Sequence, residues 1–304
     1  MTQTVTPELR RWIIEQASAG FAPETVLKAM LDAGWEAGVA EAALEKTLLD
    51  HLGTVSPEQL AAVAPEVREA VQAALGTGAA AAAGAGVRVP AIDLTGAPRR
   101  VDAGDRFVDV ITHMANPRVV VLGNLLSHEE CDAIIESAKP RLARSLTVQT
   151  TTGGEELNPD RTSNGMFFAR GQTPEVTAVE QRIARLVQWP VENGEGLQVL
   201  HYRPGAEYKP HYDYFDPAEP GTPTILKRGG QRVATLVMYL NEPTRGGGTT
   251  FPDVGLEVAP VRGHAVFFSY DRPHPSTRTL HGGAPVLEGE KWVATKWLRE
   301  SEFK

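Results

Sequence analysis

His211-Tyr212-Asp213 is the first pair in this sequence whose residue types and spacing could hold a metal ion. On an extended strand, residues i and i+2 point to the same face, so the imidazole and the carboxylate project together. The pair gains meaning only if a second histidine arrives from a later strand. Two histidines and one carboxylate cover one face of an octahedron and leave three positions for other ligands.

Three downstream histidines could complete the set: His264, His274 and His281. His264 follows Arg262-Gly263 at a turn before an apolar run, where a strand-start role is the simpler reading. Pro273 and Pro275 flank His274 and place it in a loop with little backbone freedom. His281 precedes Gly282-Gly283-Ala284, small residues that let a ligand and the backbone approach closely. A His-x-Asp with such a partner is the ligand set of non-haem Fe(II) oxygenases.

Ten positions after His281 stands Lys291. Gly289 predicts a hairpin between them, with the second strand folded back beside the first. Strand parity then groups Lys291, Val293, Thr295 and Trp297 on one face, opposite Trp292, Ala294, Lys296 and Leu298. A lysine at the start of the inward register could pair with a carboxylate of a dicarboxylic acid cosubstrate. An apolar face of Val233, Val237 and Phe267 would help exclude water.

These residues need a scaffold, and the chain supplies it in sections. Leu9, Trp12, Ile13 and Ala17 recur at helical spacing up to Gly20. Pro23 suits the first turn of a second helix carrying Val26, Leu27, Met30 and Leu31, which Gly34 can close. A third segment aligns Val39, Ala43 and Leu44. With its Gly20-Phe21 turn, this stretch of about 45 residues resembles a ubiquitin-associated-type three-helix module. A further helix is expected from Ser56 through Leu75, followed by a Gly/Ala linker over 76–87. Pro90 and Pro98 mark an irregular approach to the next domain.

From Arg118 the texture changes. Val119 to Leu122 form a strand candidate, and Ser127 caps a helix containing Cys131, Ile134 and Ile135. Short β-prone runs follow at 198–202, 232–240, 256–258, 265–268 and 292–298. Many short strands between Gly and Pro turns predict a double-sheet roll with helices packed in front. The expected organisation is α+β: residues 1–52 as an all-α N-terminal module, 53–105 as helix and linker, and 106–304 as the catalytic domain.

Composition removes some partners. A net charge of −8 argues against nucleic acid, which demands a basic surface. Hydrophobic residues at 42% and charged residues at 22% suit a soluble globular chain. A basic N-terminal stretch with an apolar run is missing, and no window of 18 apolar residues occurs. Cys131 is the only cysteine, so no intramolecular disulfide can form and a cytoplasmic setting is expected.

The run LQVLHYRPGAEYKPHYDYF from Leu197, then RVATLVMYLN, GGGTTFP and HGGAPVLEGEKWVATKWL, resembles the catalytic domain of prolyl 4-hydroxylases in order and spacing. The earlier PRVVVLGNLLSHEECDAII and RTSNGMFFARG match its N-terminal part, so the resemblance covers about Pro117 to Glu300. It implies a double-stranded β-helix, or jelly roll, and a dioxygenase that hydroxylates prolyl residues of a peptide or protein. Fe(2+), 2-oxoglutarate and O2 would take part, with L-ascorbate as reductant. By position, His211, Asp213 and His281 match the iron ligands, and Lys291 matches the residue that pairs with the distal carboxylate of 2-oxoglutarate. Tyr202 and Thr249 match hydroxyls that bond the same group, and Trp297 an aromatic lining the site. Arg161 and Ser163 lie where relatives contact the peptide, and the loops 150–160 and 216–227 are expected to recognise it. One departure is visible: Gly248 replaces the acid of the relatives' Gly-Gly-Glu-Thr, which puts that loop in question.

Two other readings stand beside this one. The same oxygenase chemistry could act on another residue or a free amino acid. Alternatively, the chain could be a non-enzymatic binding protein that senses iron or oxygen while its N-terminal helices recruit a protein partner.

Overall fold

The long strands of this chain are apolar at consecutive positions, so both faces of their sheet must be covered. The computed structural model describes residues 5–47 and 88–304, except 19–20, 22, 37, 41–42, 45–46, 145, 149–154 and 158–161. Two compact units result, Met1–Gly86 and Val87–Lys304.

In the first unit, α1 (Pro7–Ser18) and α2 (Pro23–Asp32) present Ile13, Val26 and Met30 to a common cluster with Ala40, Ala43 and Leu44. Pro23 opens α2, where a missing N–H costs nothing. The expected helix 56–75 and the Gly/Ala stretch 76–87 lie outside the described residues, as does part of the third segment.

The second unit starts with β1 (Arg100–Asp102), β2 (Phe107–Met114) and β3 (Arg118–Gly123), followed by α3 (His128–Ala138). Next come β4 (Ala143–Arg144), β5 (Leu146–Val148), β6 (Glu155–Leu157), β7 (Asn164–Phe168) and α4 (Pro174–Leu186). Then follow β8 (Leu197–Tyr202), β9 (Tyr208–His211), α5 (Thr222–Leu226) and β10 (Arg232–Tyr239). The last strands are β11 (Arg245–Gly246), β12 (Thr249–Phe251), β13 (Leu256–Val258), β14 (Ala265–Ser269), β15 (His281–Gly283), β16 (Val286–Glu288) and β17 (Lys291–Arg299).

A nine-stranded antiparallel sheet runs β1-β2-β3-β14-β10-β17-β8-β7-β4, and a four-stranded sheet runs β13-β12-β15-β9. Val120, Leu122, Ala234, Leu236, Trp292 and Ala294 of the large sheet pack with Ile134, Val179 and Ile183 of α3 and α4. On the opposite face Val119, Val121, Leu200, Val266 and Val293 join Phe251 and Val258 of the small sheet. The parity expected for β17 thus separates Val293 from Trp292, Ala294 and Leu298.

Local chemistry fixes the helices. Ser127 accepts a hydrogen bond from the Glu130 N–H, and the Glu130 side chain accepts from the Ser127 N–H, a reciprocal cap for α3. Glu130 also binds Arg182 of α4, which reaches Asp105 as well. That arginine is 2% exposed, so its two carboxylates satisfy a charge that burial alone would not tolerate.

Three expectations change. The catalytic unit begins at Val87 rather than residue 106, because β1 joins the large sheet and Ile92 and Ala103 enter its core. The expected pairing of the Lys291 strand with the His281 strand does not form. Instead β17 lies between β10 and β8, β15 lies between β12 and β9, and the intervening β16 pairs with β11. Finally, Val233 and Phe267 face the helices, so of the proposed water-excluding trio only Val237 packs on the small-sheet side.

Candidate metal centre

The small sheet brings two histidines together directly: His211 at the end of β9 is the cross-strand partner of His281 on β15. Their rings lie 4.4 Å apart. Asp213 falls beyond the last residue of β9, in a bend, so it reaches the site without a ladder position of its own. Its Oδ1 is 3.5 Å from His211 Nε2 and its Oδ2 is 3.4 Å from His281 Nε2. One ligand atom from each residue lies within 4.8 Å of the others, the sole such cluster among the described residues.

Both imidazoles are held in one tautomer. His211 Nδ1 donates to the Lys209 carbonyl at 2.9 Å, and His281 Nδ1 donates to the Thr279 carbonyl at 3.0 Å. A carbonyl can only accept, so each Nδ1 carries the proton and each Nε2 keeps its lone pair for a metal. Burial, then the neighbouring His281, lowers the proton affinity of His211. Burial opposes ionisation of Asp213, yet the positive charge of a protonated imidazole facing it outweighs that and holds the carboxyl well below its usual range; a bound cation takes the place of that proton. Two neutral imidazole nitrogens and one carboxylate fit Fe(II) with three open positions.

Glycine beside His281 is a steric requirement. A Cβ on Gly282 would stand 2.9 Å from the Tyr208 carbonyl oxygen of β9. Aromatic walls close the rest of the site: Tyr208 stacks on His211 at 3.7 Å, and Phe268 lies 4.5 Å from His281. His264 sits half-buried before β14, and His274 is exposed, its Nδ1 accepting from the Ser276 N–H.

Lys291 opens β17 opposite Tyr202 of β8 and is 4% exposed. Its Nζ lies 5.5 Å from the Tyr202 ring and 5.8 Å from the Tyr239 ring. Among the described residues no carboxylate forms an ion pair with it. Burial pushes its pKa down to about 8, and the charge of Glu257 only partly offsets this. Thr249 is buried, and its Oγ1 accepts from the Tyr239 hydroxyl at 2.8 Å, which leaves the threonine proton free to donate elsewhere. A buried ammonium beside a hydroxyl donor suits a carboxylate.

Gly248 is explained by the same region. A Cβ there would run into the Glu257 carboxylate, so the Glu257 side chain, from the neighbouring β13, occupies the space that an acid at 248 would need.

Trp297 is buried, and its Nε1 lacks a hydrogen-bond partner among the described residues. Arg232 lies over its ring at 4.0 Å. Glu195 binds Arg232 through both oxygens, at 2.6 and 2.9 Å, and Arg299 at 2.7 Å. Ser163 is fully buried, while Arg161 and most of the 150–160 loop lie outside the described residues. Sequence reasoning missed Glu195, Arg232, Arg299, Tyr239 and Thr235. Tyr239 and Thr235 carried a usable signal, since parity along β10 places both on the same face as Val237.

A profile of the 2OG-Fe(II) oxygenase superfamily matches residues 197–299. Prolyl 4-hydroxylase 5 of Arabidopsis thaliana is 43% identical over 223 residues, 66% of this chain and 74% of that protein. Prolyl 4-hydroxylase 1 of the same plant is 44% identical over 202 residues, 61% of this chain and 70% of that protein. Among solved structures, the viral collagen prolyl hydroxylase of Paramecium Bursaria Chlorella virus-1 matches at 29% identity with a TM-score of 0.46. That alignment covers 60% of this chain and 95% of the viral one.

Proposed function

This chain belongs to the prolyl 4-hydroxylase family of 2OG-Fe(II) oxygenases, and from that membership we propose that it hydroxylates prolyl residues of a peptide or protein, releasing succinate and carbon dioxide. The observation that carries the proposal is the coincidence of His211, Asp213 and His281 with a buried Lys291 that has no ion-pair partner among the described residues.

When bound, Fe(II) with 2-oxoglutarate and dioxygen supplies the power to oxidise an unactivated C–H bond. The protein's residues supply the geometry. His211 and His281 present Nε2 lone pairs, each fixed by its Nδ1 hydrogen bond, and Asp213 supplies the negative charge. Lys291 offers its ammonium to the distal carboxylate of the cosubstrate, with hydroxyl support from Thr249 and Tyr202. Tyr208, Phe251 and Phe268 keep water away from the imidazoles. Trp297, its Nε1 without a partner among the described residues, lines the approach from the large sheet; Arg161 would help hold the peptide, while Ser163, fully buried, would support that wall from behind.

Finer points belong to the same proposal. The two facing sheets are read as the walls of a jelly roll. The N-terminal helices form an all-α module that binds a protein partner, L-ascorbate serves as reductant, and the lone buried thiol suits the cytoplasm. The test is succinate release with Fe(II) and 2-oxoglutarate, with and without proline-containing peptides, alongside mass spectrometry for peptides gaining one oxygen atom. Release that no proline peptide stimulates would turn the reading toward another residue or a free amino acid.

A further inference from the structure

Thr235 occupies the middle of β10, opposite Phe268 of β14 and Trp297 of β17, and is fully buried. Its Oγ1 lies 2.7 Å from Asp213 Oδ2 and 3.1 Å from the Tyr270 hydroxyl. An ionised carboxylate can only accept, so the single threonine proton goes to Asp213. The Tyr270 hydroxyl must then donate to Thr235. The result is a one-way chain of donors, from Tyr270 through Thr235 to Asp213.

This chain matters because of where Asp213 stands. Past the end of β9 it has no ladder hydrogen bonds to orient it, and the Arg232 contact to its carbonyl is long, at 3.4 Å. Thr235 therefore gives the carboxylate its fixed side-chain anchor on the large sheet. Both oxygens face an imidazole, Oδ1 His211 Nε2 at 3.5 Å and Oδ2 His281 Nε2 at 3.4 Å, and only Oδ2 has a lone pair taken by the threonine proton.

We propose that Thr235 is a positioning residue for the metal centre, turning Asp213 so that Oδ1 is the oxygen offered to the ion. The proposal rests on the reading of Asp213 as a metal ligand. Strand parity puts Thr235 on the same face as Val237, but its strand otherwise reads as plain core and nothing in the sequence pairs it with Asp213.

The experiment is a titration of metal-free protein with Co(II), followed by visible absorption, in the absence of any cosubstrate. Thr235→Val keeps the shape and removes the donor. It should weaken Co(II) binding by about 10- to 100-fold, the usual range when a ligand loses its supporting hydrogen bond. Thr235→Ser, which restores the hydroxyl, should return the affinity close to wild type. A merely structural role would lower the melting temperature of the metal-free valine variant and leave its Co(II) affinity unchanged. Should the valine variant fail to fold, Thr235→Cys, whose thiol donates poorly from the same place, carries the same expectation. Folded variants lacking the hydroxyl that bind Co(II) as tightly as wild type overturn the role of Thr235 alone. Failure of the wild type to take up Co(II) overturns the metal centre, and this inference with it.

Discussion

His211 and His281 are cross-strand partners, and each donates its Nδ1 proton to the carbonyl two residues before it in its own chain segment. The same local device sets the tautomer twice, so both Nε2 lone pairs face Asp213 without help from a distant residue. The site is therefore built largely by two adjacent strands and the bend that follows one of them.

From that arrangement, His211→Ala, Asp213→Ala and His281→Ala should each abolish turnover, because two remaining ligands hold Fe(II) poorly. His264→Ala and His274→Ala should bind iron like wild type. Iron content of the purified variants and succinate release check both statements. Loss of iron in His274→Ala with retention in His281→Ala would overturn the ligand assignment.

Lys291 yields opposite signs for stability and for cosubstrate binding. Its pKa falls from 10.5 to about 8 on burial, a penalty of roughly 3 kcal/mol while the pocket lacks a carboxylate. Lys291→Met should therefore raise the melting temperature of the cosubstrate-free protein at neutral pH. The same change removes one member of a buried charge pair when 2-oxoglutarate binds, about 3 to 5 kcal/mol. The KM for 2-oxoglutarate should rise by roughly two to four orders of magnitude, with iron binding unchanged. A KM close to wild type would remove Lys291 from the site.

The pH dependence follows from the same lysine. Between pH 8 and 10.5 the unfolded chain keeps a proton that the folded, cosubstrate-free protein has released. The lysine's contribution to stability therefore improves across that window, and its penalty is complete below 8. A bound dicarboxylate keeps the ammonium charged, so binding takes up a proton above pH 8 and weakens as pH rises. Cosubstrate affinity measured from pH 7 to 9.5 should fall in wild type and stay flat in Lys291→Met.

Truncation separates the two units. Removing residues 1–86 should leave a folded domain that couples 2-oxoglutarate consumption to peptide hydroxylation, because the second unit starts at Val87. Removing residues 1–105 deletes β1 and the Asp105 partner of Arg182, and strips Ile92 and Ala103 from the core. Thermal melts should show the longer deletion markedly less stable, and the shorter one close to full length.

Much of this was legible before any coordinates. The Ser127 cap and the strand parity of β17 follow from local rules of spacing and hydrogen bonding; His211 and Asp213 do meet, but through a bend after β9 and not through the alternation of one strand. The hairpin at Gly289 was misread because one turn residue cannot say which sheet each arm will join; that is decided by contacts with β8, β10 and β12. Glu195, Arg232 and Arg299 were invisible for the same reason, being far apart in sequence and charged in runs that otherwise read as core. Thr235 looks like any β-branched strand residue until Asp213 is seen beside it.

β17 is buried along its whole length and starts with Lys291, with Trp297 six positions later on the same face. Side chains along a strand alternate, so a slip of one residue would exchange Lys291 for Glu290 or Trp292 and turn every later side chain to the opposite face. An insertion or deletion in this strand would therefore have to be absorbed by a bulge to keep that register. Connecting loops can change in length without shifting the register that sets Lys291 and Trp297 on one face.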